Sequence, residues 1–325
     1  MTLDVRHADT DLSVCILTHH QPELLPRCVE AAYAEIERAG IKGEVIIIDN
    51  ASSDGSPRRV AARFPETRII RNEENMGFGA ANNEAIRISR GQYVLVLNDD
   101  ALLQEGSLGL LVRKLESGSN IGAVGPKVLN FDGSLQTSCM NKRYPHLRGV
   151  AVELLLLDGL LRKNELTRQM LTLWDSQSKR AEPDQLVGAC VLARREALDA
   201  VGLFDEGFYY VLEDADLCYR LKKGGWRVLC AEEAQVIHYG AASMKEEWTE
   251  SYALAVYLRS LAYFFKKHSS PAKYFLVRMT LGLVLLLRMF LATLRRIVRG
   301  STYAEVSGRT RAYLRLVRSV VWEWR

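Results

Sequence analysis

The sequence has no Cys-x-x-Cys pair, no internal repeat and no low-complexity stretch. Its six cysteines (Cys15, Cys28, Cys139, Cys190, Cys218 and Cys230) are scattered, several inside apolar runs such as Val14-Cys15-Ile16. That excludes a zinc ribbon or a disulfide framework and predicts reduced, mostly buried thiols. The first nine residues show no apolar stretch behind a basic start, so a secretory signal is not expected. Nowhere is there a run of ~20 uninterrupted apolar residues, which a membrane-spanning helix needs. Net charge is also nearly absent, with 43 Lys and Arg against 39 Asp and Glu in 325 residues. The rest, 48% hydrophobic and 25% charged, is ordinary globular composition, and the length suits two domains or one with an appendage.

The near-neutral total conceals a division. Residues 266–325 carry 13 Lys and Arg but only Glu305 and Glu323, a charge of +11, which leaves the first 265 residues at −7. Asymmetry of this kind points to nucleic acid or a membrane surface as a partner of the basic part. No recognition motif accompanies the basic charge, so a nucleic-acid role is not expected.

From Leu12 onward, short β-rich runs alternate with helical patterns, the signature of βαβ units and a mainly parallel sheet. Strands are predicted at Ser13–Thr18, Glu44–Asp49, Arg68–Ile70, Tyr93–Leu97 and Ile121–Gly125. The helix begun at Pro22 should end at Gly40. Regularity fades between Lys127 and Pro183, a span that contains the apolar segment Val150–Leu161. The pattern resumes with Leu186–Ala193, a helix near Glu196–Val201, strands near Trp226–Cys230 and Gln235–His238, and helix beyond Gly240. The predicted strands end in Thr18, Asp49-Asn50 and Asn98-Asp99-Asp100. In open α/β sheets ligands bind beyond the carboxyl ends of strands, so these ends should converge on one crevice.

Each polar cluster has a structural and a chemical reading. Asp49 ends its strand, where an acceptor could meet a pyrimidine N–H; Asp54 and Ser56 suit a turn and helix cap before Pro57. Asn75-Met76-Gly77-Phe78-Gly79 offers two glycines, but Asn82 stands where a dinucleotide fingerprint needs a third, so a Rossmann cofactor site is not expected. Asp99 and Asp100, adjacent after an apolar strand, suit Mg²⁺ carrying substrate phosphates. Glu213, Asp214 and Asp216 fit the first turn of a helix and also supply a general base beside Phe208-Tyr209-Tyr210. His238 at a strand end is either a satisfied core residue or a metal ligand, and Arg220 is placed to pair with Asp216 at i, i+4.

Taken together, Thr18, Asp49-Asn50-Ala51-Ser52-Ser53-Asp54-Gly55-Ser56, Asn75-x-Gly77 with Asn82, Asn98-Asp99-Asp100, Gly188-Ala189, Glu213-Asp214-x-Asp216-Leu217-Cys218-x-Arg220 and His238 resemble a family 2 glycosyltransferase with the GT-A fold. More narrowly they resemble rhamnosyltransferase-like members of bacterial cell-surface polysaccharide synthesis. The resemblance spans residues 12–243 and implies an α/β fold with a mixed, mainly parallel sheet flanked by helices. It implies donor contacts at Thr18, Asp49, Asn50, Asp54, Asn75, Gly77, Asn82, Asp99 and Arg220, with Asp49 on the nucleobase. Asp100 and His238 would hold Mg²⁺ or Mn²⁺. Because the family's Asp-x-Asp begins here with Asn98, either Asp99 or Asp100 is the main ligand. Asp214 would be the base, supported by Glu213 and Asp216, and Gly188-Ala189 would line the acceptor side. The implied donor is a nucleoside diphosphate sugar, dTDP-rhamnose first, and the acceptor a polyprenyl-diphosphate-linked saccharide. Another hexose donor, or a non-catalytic membrane adaptor with the same fold, are the competing readings.

The resemblance leaves out residues 244–325, a basic amphipathic helical tail after the catalytic domain at 1–243. Arg278, Arg288, Arg295, Arg296 and Arg299 fall within an arc of roughly 100° at ~100° per residue, and the remaining surface is apolar. That is the pattern of a helix lying on an anionic membrane surface, with Trp322 and Trp324 adding interfacial aromatics. A helix packed on the body or a membrane span are the alternatives. The expected location is cytoplasmic, peripheral at the inner face of the cell membrane.

Overall fold

The computed structural model describes residues 10–136, 143–146, 182–240 and 250–298. The apolar segment Val150–Leu161, Cys139 and the tryptophans near the C-terminus lie outside them. By contact the chain divides into two units, residues 1–143 with 176–247, and residues 144–175 with 248–325.

In the first unit, β1 (Leu12–Thr18), α1 (Leu24–Ala39), β2 (Gly43–Asn50), α2 (Ser56–Arg63), β3 (Arg68–Asn72), α3 (Phe78–Ile88) and β4 (Tyr93–Asn98) follow the predicted alternation. The strands β3, β2, β1 and β4 are adjacent and parallel. The apolar runs of β1, β2 and β4 are buried on both faces, as in sheets covered by helices on each side. α1 turns Leu25, Cys28, Val29, Ala32 and Ile36 into the core. Fully burying each large aliphatic side chain contributes roughly 1.5–3 kcal/mol. The helix ends at Gly40, whose φ of 64° gives a left-handed cap.

β5 (Ala101–Leu103), α4 (Ser107–Glu116), β6 (Ile121–Leu129), β7 (Cys190–Arg194), α5 (Arg195–Val201), α6 (Glu213–Lys223) and β8 (Arg227–His238) complete the unit. The sheet order is β3-β2-β1-β4-β7-β6-β8-β5, and β7 runs antiparallel to both β4 and β6. Two details depart from the sequence reading. The strands expected near Trp226–Cys230 and Gln235–His238 are one, because the register against β6 jumps from Pro126↔Ala231 to Lys127↔Gln235. Pro126 has no N–H to give to a ladder, and the extra residues of β8 bulge out there. The three-residue β5, too short to show a period, pairs antiparallel with the end of β8 and sets Ala101 opposite His238. All five described cysteines are buried.

The second unit contains α7 (Glu250–His268) and α8 (Pro271–Val298), which pack on each other. Pro271 opens α8, where a missing N–H does no harm, and the Ser270 hydroxyl accepts from the Lys273 N–H at 3.4 Å. Val277, Leu281, Val284 and Leu285 of α8 are buried, as are Leu258, Leu261, Phe264 and Phe265 of α7. Phe275, Leu276, Met279, Leu283, Leu286, Leu287 and Phe290 are exposed on α8. At ~100° per residue they occupy one arc of about 120°. Arg278, placed by the projection on the basic face, is half-buried, with its guanidinium carbon 5.6 Å from the Tyr274 ring centre. Among the described side chains, those exposed between Phe275 and Phe290 thus form an apolar stripe. No described helix is long and apolar enough to cross a membrane.

Candidate active site

Register alone brings the predicted strand ends together. Thr18 pairs with Asp49, Leu17 with Asn98 and Asp49 with Arg71, so four parallel strands finish at one edge. The two-residue period then sends neighbours to opposite faces. Asp49 lies on the side of Val45 and Ile47, and Asn50 turns toward the loop before α3.

On the Asp49 side a cavity of about 320 Å³ is lined by Asp49, Ser52, Ser53, Arg58, Ile69 and Arg71 among others. Asp49 Oδ1 accepts the Ser52 N–H at 2.8 Å, and Arg71 Nε stands 3.7 Å from Asp49 Oδ2. Ser52 belongs to the motif read from the sequence, whereas Arg71 and Arg58 were not read from it; the basic residue Arg71 near the end of β3 was the available signal. Asp54 makes the predicted turn, its Oδ1 accepting from Ser56 N at 3.0 Å and Ser56 Oγ at 2.7 Å.

On the Asn50 side, polar groups hold one another. The Asn50 amide donates to Asn75 Oδ1 at 2.7 Å, and its Oδ1 accepts from Met76 N at 3.0 Å and Asn72 Nδ2 at 3.3 Å. Asn50 and Asn75 thus position the loop carrying Gly77. Gly77 has φ 81°, and a Cβ there would lie 2.4 Å from the Tyr209 carbonyl oxygen. No side chain fits, and the loop docks directly on the aromatic segment before α6. Asn82 is buried; its amide donates to Phe78 O at 3.0 Å within α3, and its Oδ1 has no hydrogen-bond partner.

The acidic turn follows β4. Asp99 Oδ2 accepts the His19 N–H at 3.2 Å. Burial, reinforced by the charge of Asp100, pushes the Asp99 carboxyl up to about 8. Asp100 is 5% exposed and His238 8%, with His238 Nε2 3.1 Å from Asp100 Oδ1. Pairing of β5 with β8 creates this contact, and the Tyr239 N–H donating to Asp100 O at 3.0 Å secures it. The other ring nitrogen of His238 meets Gln136 Oε1 at 2.8 Å.

α6 carries the third group. Glu213 is buried and held well above the usual carboxylate range, first by burial and then by the charge of Asp214. Asp216 is wholly buried and accepts from Arg220 Nε at 2.6 Å. Arg220 also donates to the carbonyls of Val201, Gly202 and Leu203, so its donors tie α6 to the turn after α5. Asp214 alone of the three acids is partly exposed. Its Oδ2 accepts the Gly188 N–H at 3.1 Å, and Ala189 O accepts the Asn98 N–H at 3.0 Å. Gly188-Ala189 therefore links Asp214 to the strand end bearing Asp99 and Asp100. The Tyr210 phenol is pushed up by burial and then by the charges of Glu213, Asp99 and Asp100.

Backbone strain gathers in the same place. Among the described residues the non-glycine positions with positive φ are His20, Ala51, Val211 and Leu212. Each is within two residues of Thr18, Asn50 or Glu213. A left-handed conformation at a β-branched residue such as Val211 is unfavourable and persists only where its surroundings dictate it.

The donor set suits a divalent cation. A ring nitrogen without a proton and a carboxylate oxygen facing each other at 3.1 Å are both acceptors, so the contact needs either a proton on Nε2 or a metal ion taking both lone pairs. Among the described residues no cluster of three or more His, Cys, Asp or Glu forms a complete cage. A cation on Asp100 and His238 would complete its shell with water and ligand oxygens, the usual habit of Mg²⁺.

Comparison with known proteins follows these features. Residues 13–172 match the model for glycosyl transferase family 2, and residues 93–314 that for glycosyl transferase family group 2. Over 215 residues the chain is 31% identical to an N-acetylglucosaminyl-diphospho-decaprenol L-rhamnosyltransferase of Mycobacterium tuberculosis, covering 61% of this chain and 67% of that one. The mannosyltransferase PcManGT from Pyrobaculum calidifontis, solved with GDP-Man and Mn²⁺, superposes with a TM-score of 0.55 at 16% identity, covering 98% of this chain and 89% of that one. GalNAc-T7, solved with UDP, GalNAc and Mn²⁺, does so with a TM-score of 0.51 at 16% identity, covering 77% and 50%. These two likenesses show the fold.

Proposed function

The chain belongs to glycosyl transferase family 2 and is a glycosyltransferase with a GT-A-like fold; from that premise we propose that it transfers rhamnose, with inversion, from dTDP-rhamnose to a polyprenyl-diphosphate-linked saccharide, using Mg²⁺ or Mn²⁺, at the inner face of a membrane. The observation that carries this reading is the link from Asp214 through Gly188-Ala189 to the strand end of Asp99 and Asp100. It supports a reachable base beside a cation site. The relative's lipid-linked acceptor supports the acceptor class, and its sugar supports rhamnose.

In this mechanism the cavity beside Asp49 and Arg71 takes the nucleobase, Asp49 Oδ2 accepting a base N–H. Asp100 and His238 hold the cation, which when bound neutralises charge on the diphosphate. An acceptor hydroxyl enters beside Gly188, and Asp214 takes its proton. The acceptor oxygen bonds to the anomeric carbon from the face opposite the diphosphate, and the carbon–oxygen bond to the leaving phosphate breaks with its electron pair. Configuration inverts because one displacement occurs. Burial, and next the charge of Asp214, hold the Glu213 carboxyl well above the usual range and so disfavour a second charge beside Asp214, and Asp216 fixes the helix through Arg220.

Access to a lipid-linked acceptor falls to the second unit. The apolar stripe of α8, about 22 Å long at 1.5 Å per residue from Phe275 to Phe290, enters the acyl boundary. Exposed Lys266, Lys267 and Lys273 meet anionic headgroups. The deciding experiment supplies full-length protein with Mn²⁺, a polyprenyl-diphosphate saccharide and a panel of nucleoside diphosphate sugars. Transfer from dTDP-rhamnose above all others is the expected result; transfer from another hexose donor alone would overturn the donor, and transfer from none would overturn the reading.

A further inference from the structure

Gln136 lies outside every motif of the sequence, yet it is buried against the histidine of the cation site. After β6 the chain folds back through a turn in which Gly133 has φ 79° and Asp132 Oδ1 accepts the Ser134 N–H. Gln136 N then donates to Val128 O at 3.0 Å, and Leu135 bridges to Leu129. The side chain is thereby delivered under the end of β8.

Its orientation follows from chemistry. Gln136 Nε2 lies 3.0 Å from the backbone oxygen of His238 and 3.0 Å from Asn130 Oδ1. A backbone carbonyl only accepts, so the amide nitrogen must face it and the amide oxygen must face the ring. Gln136 Oε1, 2.8 Å from His238 Nδ1, is an acceptor, so Nδ1 carries the proton. Nε2, 3.1 Å from Asp100 Oδ1, is then the nitrogen that offers its lone pair on the carboxylate side when a cation replaces any proton there. We infer that Gln136 is a positioning residue that grips His238 by both its ring and its carbonyl, fixes the Nδ1–H tautomer and so presents Nε2 with Asp100 as a ready-made pair of cation ligands. Partners of this kind behind a ligating imidazole change metal affinity by about 10–100-fold when removed.

The inference rests on the metal reading of the preceding section, and the test separates the two. Mn²⁺ binding to the full-length protein is measured from the electron paramagnetic resonance of free Mn²⁺, alone and with dTDP. In parallel, the ¹⁵N resonances of His238 are recorded in the Mg²⁺-loaded protein. Gln136→Leu keeps the volume and removes both polar contacts; Gln136→Met is a second route to the same loss, and thermal unfolding identifies whichever variant stays folded. Expected are Mn²⁺ affinity 10–100-fold weaker in the folded variant and an Nδ1–H signature in wild type that gives way to a mixture of tautomers. Unchanged affinity and an unchanged signature would overturn the role of Gln136 alone. A wild type that binds no Mn²⁺ under either condition would overturn the metal reading and this inference with it.

Discussion

The two units handle charge and apolar surface in opposite ways. The first buries charge: Asp49, Asp99, Asp100, Glu213 and Asp216 are all in its interior, while among its described residues the exposed large hydrophobics are the scattered Met76, Phe131 and Tyr209. The second has no acid between Ser251 and Val298 and sets seven large apolar side chains on one helix face. Burying a carboxylate is unfavourable unless a cation, a hydrogen bond or a proton compensates it, and exposing an apolar stripe is unfavourable in water. Both become favourable when a ligand arrives, a cation with its diphosphate in one case and a lipid surface in the other. The total charge of +4 hides this because the two requirements nearly cancel.

The sharpest break of the comparison is at the one acid of α6 that is not buried. Asp214→Asn keeps the shape and one of the two N–H contacts, from Gly188 or Ala215, but cannot take a proton. Its kcat should fall by about 10²–10⁴-fold, the usual contribution of a positioned general base. Mn²⁺ affinity should stay at the wild-type level, since Asp214 does not touch Asp100 or His238 in the proposed scheme. A kcat within threefold of wild type would place the base elsewhere.

The second unit is tested by making its stripe polar. Leu283 and Phe290 are 67% and 61% exposed, so Leu283→Glu with Phe290→Glu should leave folding intact. Each side chain withdrawn from the acyl boundary forfeits roughly 1.5–3 kcal/mol, so flotation with anionic vesicles should drop by on the order of 10²-fold or more. Transfer to a short, water-soluble acceptor should be unaffected. Equal flotation would mean that this face meets something other than lipid.

How much of this was legible in the sequence differs by element for physical reasons. Strand ends were legible because a polar residue after a continuous apolar run has few other roles, and Thr18, Asp49 and Asp99 stand where that rule puts them. The three acids of α6 were legible as a cluster but not as individuals, because only packing distinguishes buried Glu213 and Asp216 from accessible Asp214. β5 was not legible, since three residues show no period, and with it went the reason why Asp100 meets His238. Arg71 and Gln136 were not legible because each matters through a partner distant in sequence, Asp49 across a parallel ladder and His238 across a hairpin. The basic arc projected on α8 was legible as periodicity, but which arc faces outward depends on what packs beneath, and there the buried residues are Val277, Leu281, Val284 and Leu285.

The smallest expected effect concerns the acids that the first unit buries. Glu213 has its folded-state pKa raised well above the unfolded value, chiefly by burial and next by Asp214. The folded protein therefore binds this proton more tightly than the unfolded chain does. The contribution is fully present below the unfolded pKa, about 4.3 for a free Glu, and is lost as pH rises through the raised value. Glu213→Gln replaces the proton-dependent group with one that is neutral at every pH. Between pH 5 and pH 8 the wild-type Tm should fall relative to the variant, and at pH 8 the variant should unfold higher by about 2–4 °C, which is what 1 kcal/mol is worth in a domain of this size. Melting curves across that range decide it. Two parallel curves would mean that Glu213 releases its proton as readily folded as unfolded, and that the first unit holds a full negative charge beside Asp214 after all.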